Sequence, residues 1–152
     1  MTPELISYGV ASLLVVAALL DMRTGKIPNW LAMAGVAIFI VKLAVFPDSV
    51  AIWPQMALAV GVLVGGFALF VAGAFGAGAV KLAFVTALFM PVGDALWLLS
   101  VLVAAIVVSL IVFGTLRVTM GGDESGWSVL RRRVIPLAVP IAATGLTGLF
   151  AF

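Results

Sequence analysis

Two short stretches of this chain hold the residues whose types and spacing could do chemistry. In "ALLDMRTGKIPNWL", Asp21 stands at the end of an apolar run, and in "GAGAVKL", Gly76, Gly78 and Lys81 surround Ala79. A carboxylate at the end of an apolar helix is costly unless it faces protein or a wet cavity, which makes Asp21 a candidate for function. As a plain interfacial group it would instead pair with Arg23 or Lys26. Gly76 and Gly78 would allow close helix packing, or leave backbone uncovered so that another chain can approach and pair with it. Lys81 could be a snorkelling anchor at a helix end. Pro28 and Asn29 read structurally: the proline limits the approach to the next helix and Asn29 can cap its first amides.

The absent residue types narrow the chemistry further. With no cysteine and no histidine among 152 residues, there is no thiol nucleophile, disulfide, Cys-based zinc site, imidazole base or HExxH metal pair. Carboxylates, serines or lysines must carry any catalysis, and no metal or other cofactor is expected. The chain is 65% hydrophobic and 9% charged, with a mean hydropathy of +1.37, values that belong to an integral membrane protein. Its formal net charge of +2 comes from eight basic and six acidic residues, too few and too dispersed for a nucleic-acid surface.

These residues must be positioned by membrane helices, each needing roughly 20 apolar residues or a few less where its ends are recessed. About six runs qualify: Leu5 to Leu20, Trp30 to Phe46, Ile52 to Ala74, Gly76 to Met90, Ala95 to Leu116 and Val134 to Phe152. The fourth and fifth are separated at "MPVGD", where Pro91 and Gly93 favour a turn and Asp94 favours water. Met1 to Glu4 is too short for a charged leader, so the first run is expected to be retained. No internal repeat or low-complexity linker interrupts the chain, and residues 1–152 read as a single all-α membrane-embedded domain. In the last run, Pro136 and Pro140 predict a kinked helix, and Gly145 and Gly148 would let it pack closely. Alternation places seven of the eight basic residues on one side, which the positive-inside rule makes cytoplasmic, with both termini outside. Lys42 is the exception and would snorkel toward the outer interface near Phe46. The "ESGWSVLRRR" loop reads as solvated and attractive to anionic lipid headgroups.

"DMRTGKIPN" after a first span, followed two spans later by "GAGAVKL", resembles the type IV prepilin peptidases, and most closely the small form serving Flp-type, tight-adherence pili. The likeness covers most of the chain. "IPLAVPIAATG" in the last span is similar to that family's Val-Pro-Tyr-Gly-containing stretch, with Leu137 and Ala138 in place of Tyr-Gly. The family's Gly-x-Gly-Asp-Val-Lys element is shared with presenilin-type intramembrane proteases, and here its aspartate position is Ala79.

The resemblance implies an intramembrane aspartyl endopeptidase with its two carboxylates at Asp21 and position 79, and with Gly76 and Gly78 forming the approach to the second. Gly76, Gly78 and Lys81 are then the expected substrate-binding residues. The implied substrate and partner is a pilin precursor helix with a short basic leader, cut at the cytoplasmic face of the bacterial inner membrane. Larger relatives carry a methyltransferase insertion with paired cysteines, for which this chain has neither room nor cysteines. With Ala79 the chain is expected to be inactive, as an Asp-to-Ala substitution would leave it. A natural non-catalytic pilin-binding protein is the alternative, followed by a small transporter with Asp21 and Lys81 along a polar path. First and fourth spans packed together would bring Asp21 and position 79 into one place, whereas Asp94 would lie ~22 Å away along a helix.

Overall fold

A computed structural model describes residues 2–120 and 136–151; the expectations for the loop carrying Arg131 to Arg133 fall outside them. The described residues form six α-helices and no strand: α1 (Pro3–Thr24), α2 (Asn29–Val45), α3 (Ile52–Val71), α4 (Ala77–Phe89), α5 (Ala95–Met120) and α6 (Ala138–Phe150). Short 3-10 turns, Pro47–Ser49 and Val92–Asp94, join α2 to α3 and α4 to α5. The second of these lies where "MPVGD" predicts a break, because Pro91 cannot continue a helix ladder. Three helical stretches are long and apolar enough to cross a membrane, Pro3–Thr24, Ile52–Val71 and Val92–Leu116. Asn29–Val45, Ala77–Phe89 and Ala138–Phe150 are shorter apolar helices.

The core is organised around α4. Ala79, Val80, Leu82, Val85, Thr86, Ala87, Leu88 and Phe89 are all buried, so this helix is covered nearly all round, as expected of an apolar helix with no polar face. Its neighbours are α3, α6 and α2, while α1 packs on α6 and α2, and α5 packs on α6. Helices α1 and α2 each turn one stripe inward. Ile6, Val10, Leu13, Leu14 and Ala17 do so from α1, and Leu31, Gly35 and Phe39 from α2, at the three- and four-residue spacings of one helix face. The outward faces of α3 and α5 remain apolar, with Trp53, Val64, Val71, Leu96 and Val108 exposed, a distribution suited to lipid rather than water.

Glycine makes the approach to α4 possible. A methyl group at Gly66 of α3 would lie 3.0 Å from Val80 Cγ1, and one at Gly35 of α2 would overlap the Val85 side chain. At the far end of α4, the buried Gln55 side chain of α3 donates from Nε2 to the carbonyls of Leu88 (2.6 Å) and Met90 (2.7 Å). Phe39 packs edge-on against Phe89 at 5.5 Å between centroids. The half-buried Lys42 holds its ammonium 5.8 Å from the centre of the Phe89 ring, a cation–π contact.

Candidate active site

Asp21 lies within α1 rather than just past its end, because the helix runs one turn beyond the apolar stretch to Thr24. The stop is made by Gly25, whose φ of 64° is the left-handed conformation that glycine adopts without strain. Its N–H closes on the Asp21 carbonyl at 2.8 Å. Thr24 then ties the turn by donating from Oγ1 to the Leu20 carbonyl (2.8 Å) and accepting from the Lys26 N–H (3.3 Å). After this compact exit, Lys26 and Ile27 line the cleft.

The second stretch is built by three glycines with different tasks. Gly73, with φ of 76°, ends α3 in a conformation that side-chain-bearing residues rarely adopt. Gly76 precedes α4 with φ of −81° and ψ of 148°, which any residue can take, and a methyl group there would meet nothing within 4 Å. Gly78 is different again: a Cβ would sit 2.9 Å from the Ile27 Cβ. Close packing is therefore the structural task of Gly78, while the small size of Gly76 serves open space above the helix start. Ala79 follows in the first turn of α4, buried.

The third wall comes from α6. The two prolines of "IPLAVP" do not kink it: Pro136 precedes the helix and Pro140 occupies its first turn, where a missing N–H breaks no helical bond. Ala138, the first helical residue, donates its backbone N–H to Asp21 Oδ2 at 3.1 Å. Among the described residues that amide, rather than Arg23 or Lys26, is the carboxylate's partner. A negative group here also meets the positive end of the helix dipole.

The three walls enclose a cleft of about 700 Å³, lined by Asp21, Gly25, Lys26 and Ile27 on one side, residues 73–79 on another, and Leu137. Asp21, Gly76, Gly78 and Ala79 thus line one cleft. The route differs from direct pairing of α1 with α4, since α6 lies between them. A methyl group on Gly145 of α6 would lie 2.6 Å from Leu14 Cδ1 of α1 and 2.8 Å from Thr86 Cγ2 of α4. Gly148 is less constrained, its nearest such contact being 3.4 Å to Leu98. Leu14, Thr86 and Gly145 are each seven residues, about two turns, from Asp21, Ala79 and Ala138 respectively. Each helix therefore presents the same face at the joint and at the cleft.

Lys81 is not among the cleft-lining residues. Two positions beyond Ala79, ~200° around the helix, it donates from Nζ to Asn29 Oδ1 at 2.8 Å. That bond also corrects the expected role of Asn29, which stands as the first residue of α2 and makes no cap there, its side-chain oxygen being taken by the lysine. Lys26, expected as an orienting charge or a partner for Asp21, is one of the residues that line the cleft. Gly25 carried a legible signal, a glycine just past an apolar run. The Ala138 amide carried none, since a backbone group gives no sequence mark. Among the described residues no three His, Asp or Glu side chains gather as metal ligands, and Asp21 is the acidic residue lining the cleft.

A family profile described as the type IV leader peptidase family matches residues 8–122. The chain belongs to the type IV leader peptidase family. The matched stretch of this leader peptidase relative begins within α1 and runs through α5, includes Asp21, Gly76, Gly78 and position 79, and stops before α6. Comparison with curated proteins and with solved structures found no match. Family membership makes the chain kin to peptidases and, with its apolar helices, a membrane protein; the chemistry of the cleft then rests on its residues.

Proposed function

We propose that this chain is the scaffold of an intramembrane aspartyl prepilin peptidase, the small Flp-type form, in which Ala79 stands where a second catalytic carboxylate acts. The observation that carries this reading is that Asp21 and Ala79, 58 positions apart in sequence, line one cleft. Two close carboxylates cannot both ionise, so one retains a proton while the other deprotonates the water that attacks the scissile carbonyl. The protonated partner gives hydrogen bonding and then a proton to the leaving amide. Asp21 can fill one role; an alanine methyl can fill neither. As written, the chain binds substrate without turnover.

The substrate is a pilin precursor whose basic leader lies at the cytoplasmic face of the bacterial inner membrane and whose helix lies alongside the enzyme in lipid. The bilayer orients that helix before binding, and the uncovered backbone at Gly76 admits the extended strand at the cut site. In this reading all six helices cross or enter the membrane as one domain, with both termini outside and the cleft facing the cytoplasm, in keeping with Arg23 and Lys26 at that end. Lys81 supports the site by joining α4 to α2.

The test follows the released leader by mass after incubation with a matched pilin precursor in detergent or lipid. Ala79→Asp should convert an inert chain into a peptidase, a gain of at least ~10²–10⁴-fold on the scale of acid–base catalysis, and Asp21→Asn should abolish it again. Equal cleavage by both forms, or none by a folded Ala79→Asp chain, would leave a non-catalytic pilin-binding protein as the better description. Ala79 itself favours that second reading.

A further inference from the structure

Helix α6 lies beyond the stretch matched by the family profile, residues 8–122, yet it touches both halves of the site. Leu137 lines the cleft, the Ala138 N–H reaches Asp21 Oδ2 at 3.1 Å, and Gly145 is the point where α1 and α4 close on the same helix. The first amides of a helix have no carbonyl partner within it. Those of α6 are disposed of one by one: Val139 donates to the Pro136 carbonyl at 3.2 Å, Pro140 has no N–H, and Ala138 is left for Asp21. Among the described residues this is also the one donor to the Asp21 carboxylate.

Resting on the aspartyl-peptidase reading, we propose that the Ala138 amide is a positioning group for the reaction. It holds one Asp21 oxygen against α6 so that the other is presented across the cleft to position 79, and Gly145, two turns along, fixes the separation of the two helices. A free aspartate side chain at a helix end samples several rotamers, whereas one tied to a helix amide is confined to the orientations that keep the bond. Small misplacement of a reacting group is enough to cost a large factor in rate. Neither task needs a particular side chain at 138, in keeping with alanine there.

The experiment uses the Ala79→Asp chain as parent, with a matched pilin precursor. Ala138 is replaced by its α-hydroxy acid counterpart, which exchanges the N–H for an ester oxygen and keeps the methyl group. The expected result is a fall in kcat of roughly 10–100-fold with KM unchanged, the pattern of an interaction that matters mainly in the transition state. Ala138→Gly, which keeps the amide, should lower kcat by less than the ester does. A second series covers the case in which the ester variant does not fold. Gly145→Ala should lower kcat with KM unchanged, and adding Leu14→Val and Thr86→Ser, which remove the two atoms nearest the new methyl, should restore it. Full kcat in a folded ester variant overturns the inference, as does a Gly145→Ala loss that the paired changes fail to recover. An inactive parent overturns the peptidase reading and this inference with it, so the two failures are told apart by the parent alone.

Discussion

At the far end of α4 the Gln55 amide closes two carbonyls, and Phe39 and Lys42 cover Phe89. At the near end the preceding residue is Gly76, which has no side chain to cap the first amides, and the helix opens into about 700 Å³ of space. The same 13-residue helix thus has one end bound by side chains and one end left bare. The first amides of a helix have no carbonyl partner within it, and on the proposed function this uncovered start is where the substrate strand would arrive. The far end holds the helix in place; the near end is where that rigidity is used.

This contrast can be broken most severely at Gln55. Gln55→Leu leaves two carbonyl acceptors unpaired, one buried and one partly so, and should destabilise the protein by about 2–3 kcal/mol, read from thermal unfolding in detergent. Precursor binding by the remaining folded fraction should be unchanged. If binding weakens in step with stability, the two ends are not separate in function. Next in size is Gly78→Ala. Its methyl would crowd Ile27, an overpacking expected to cost about 1–2 kcal/mol and to widen the cleft, lowering both stability and precursor affinity. Gly76→Ala sharpens the comparison with the smallest stability change. It meets no atom and should shift unfolding by no more than about 0.5 kcal/mol, while precursor affinity, measured by titration, falls. An affinity unchanged by the Gly76 methyl would show that no substrate backbone passes there.

The helices were legible because their signals are local. Apolar runs interrupted at "DMRTGKIPN" and "MPVGD" mark elements without reference to the rest of the chain. Asp21 and position 79 were legible as a pair only through family resemblance, since nothing in their spacing requires them to meet. The misread residues depended on distant partners. Asn29 looks like a cap for α2 until Lys81, 52 positions away, takes its oxygen, and Arg23 or Lys26 looks like the partner of Asp21 until an amide 117 positions away does so. Two prolines four apart suggest a kink unless the helix begins between them, a boundary that packing sets rather than composition. Gln55 carries no such signal, because a lone glutamine in an apolar run does not reveal which carbonyls it will find.

The lengths of the helices around the cleft have a consequence for the lipid. Helices α4 and α6, which both begin at the cleft, have 13 residues each, or ~20 Å of rise, against ~30 Å for a hydrocarbon layer. Helix α1, with 22 residues, spans ~33 Å. Set in a membrane as proposed, the shorter pair falls ~10 Å short of that layer. Either the bilayer thins around this side of the protein or water follows the cleft inward. On the proposed function, either adjustment would ease the meeting of a peptide bond at the boundary of a membrane helix with water and Asp21, so bilayer thickness itself would become a variable in how readily the site is reached.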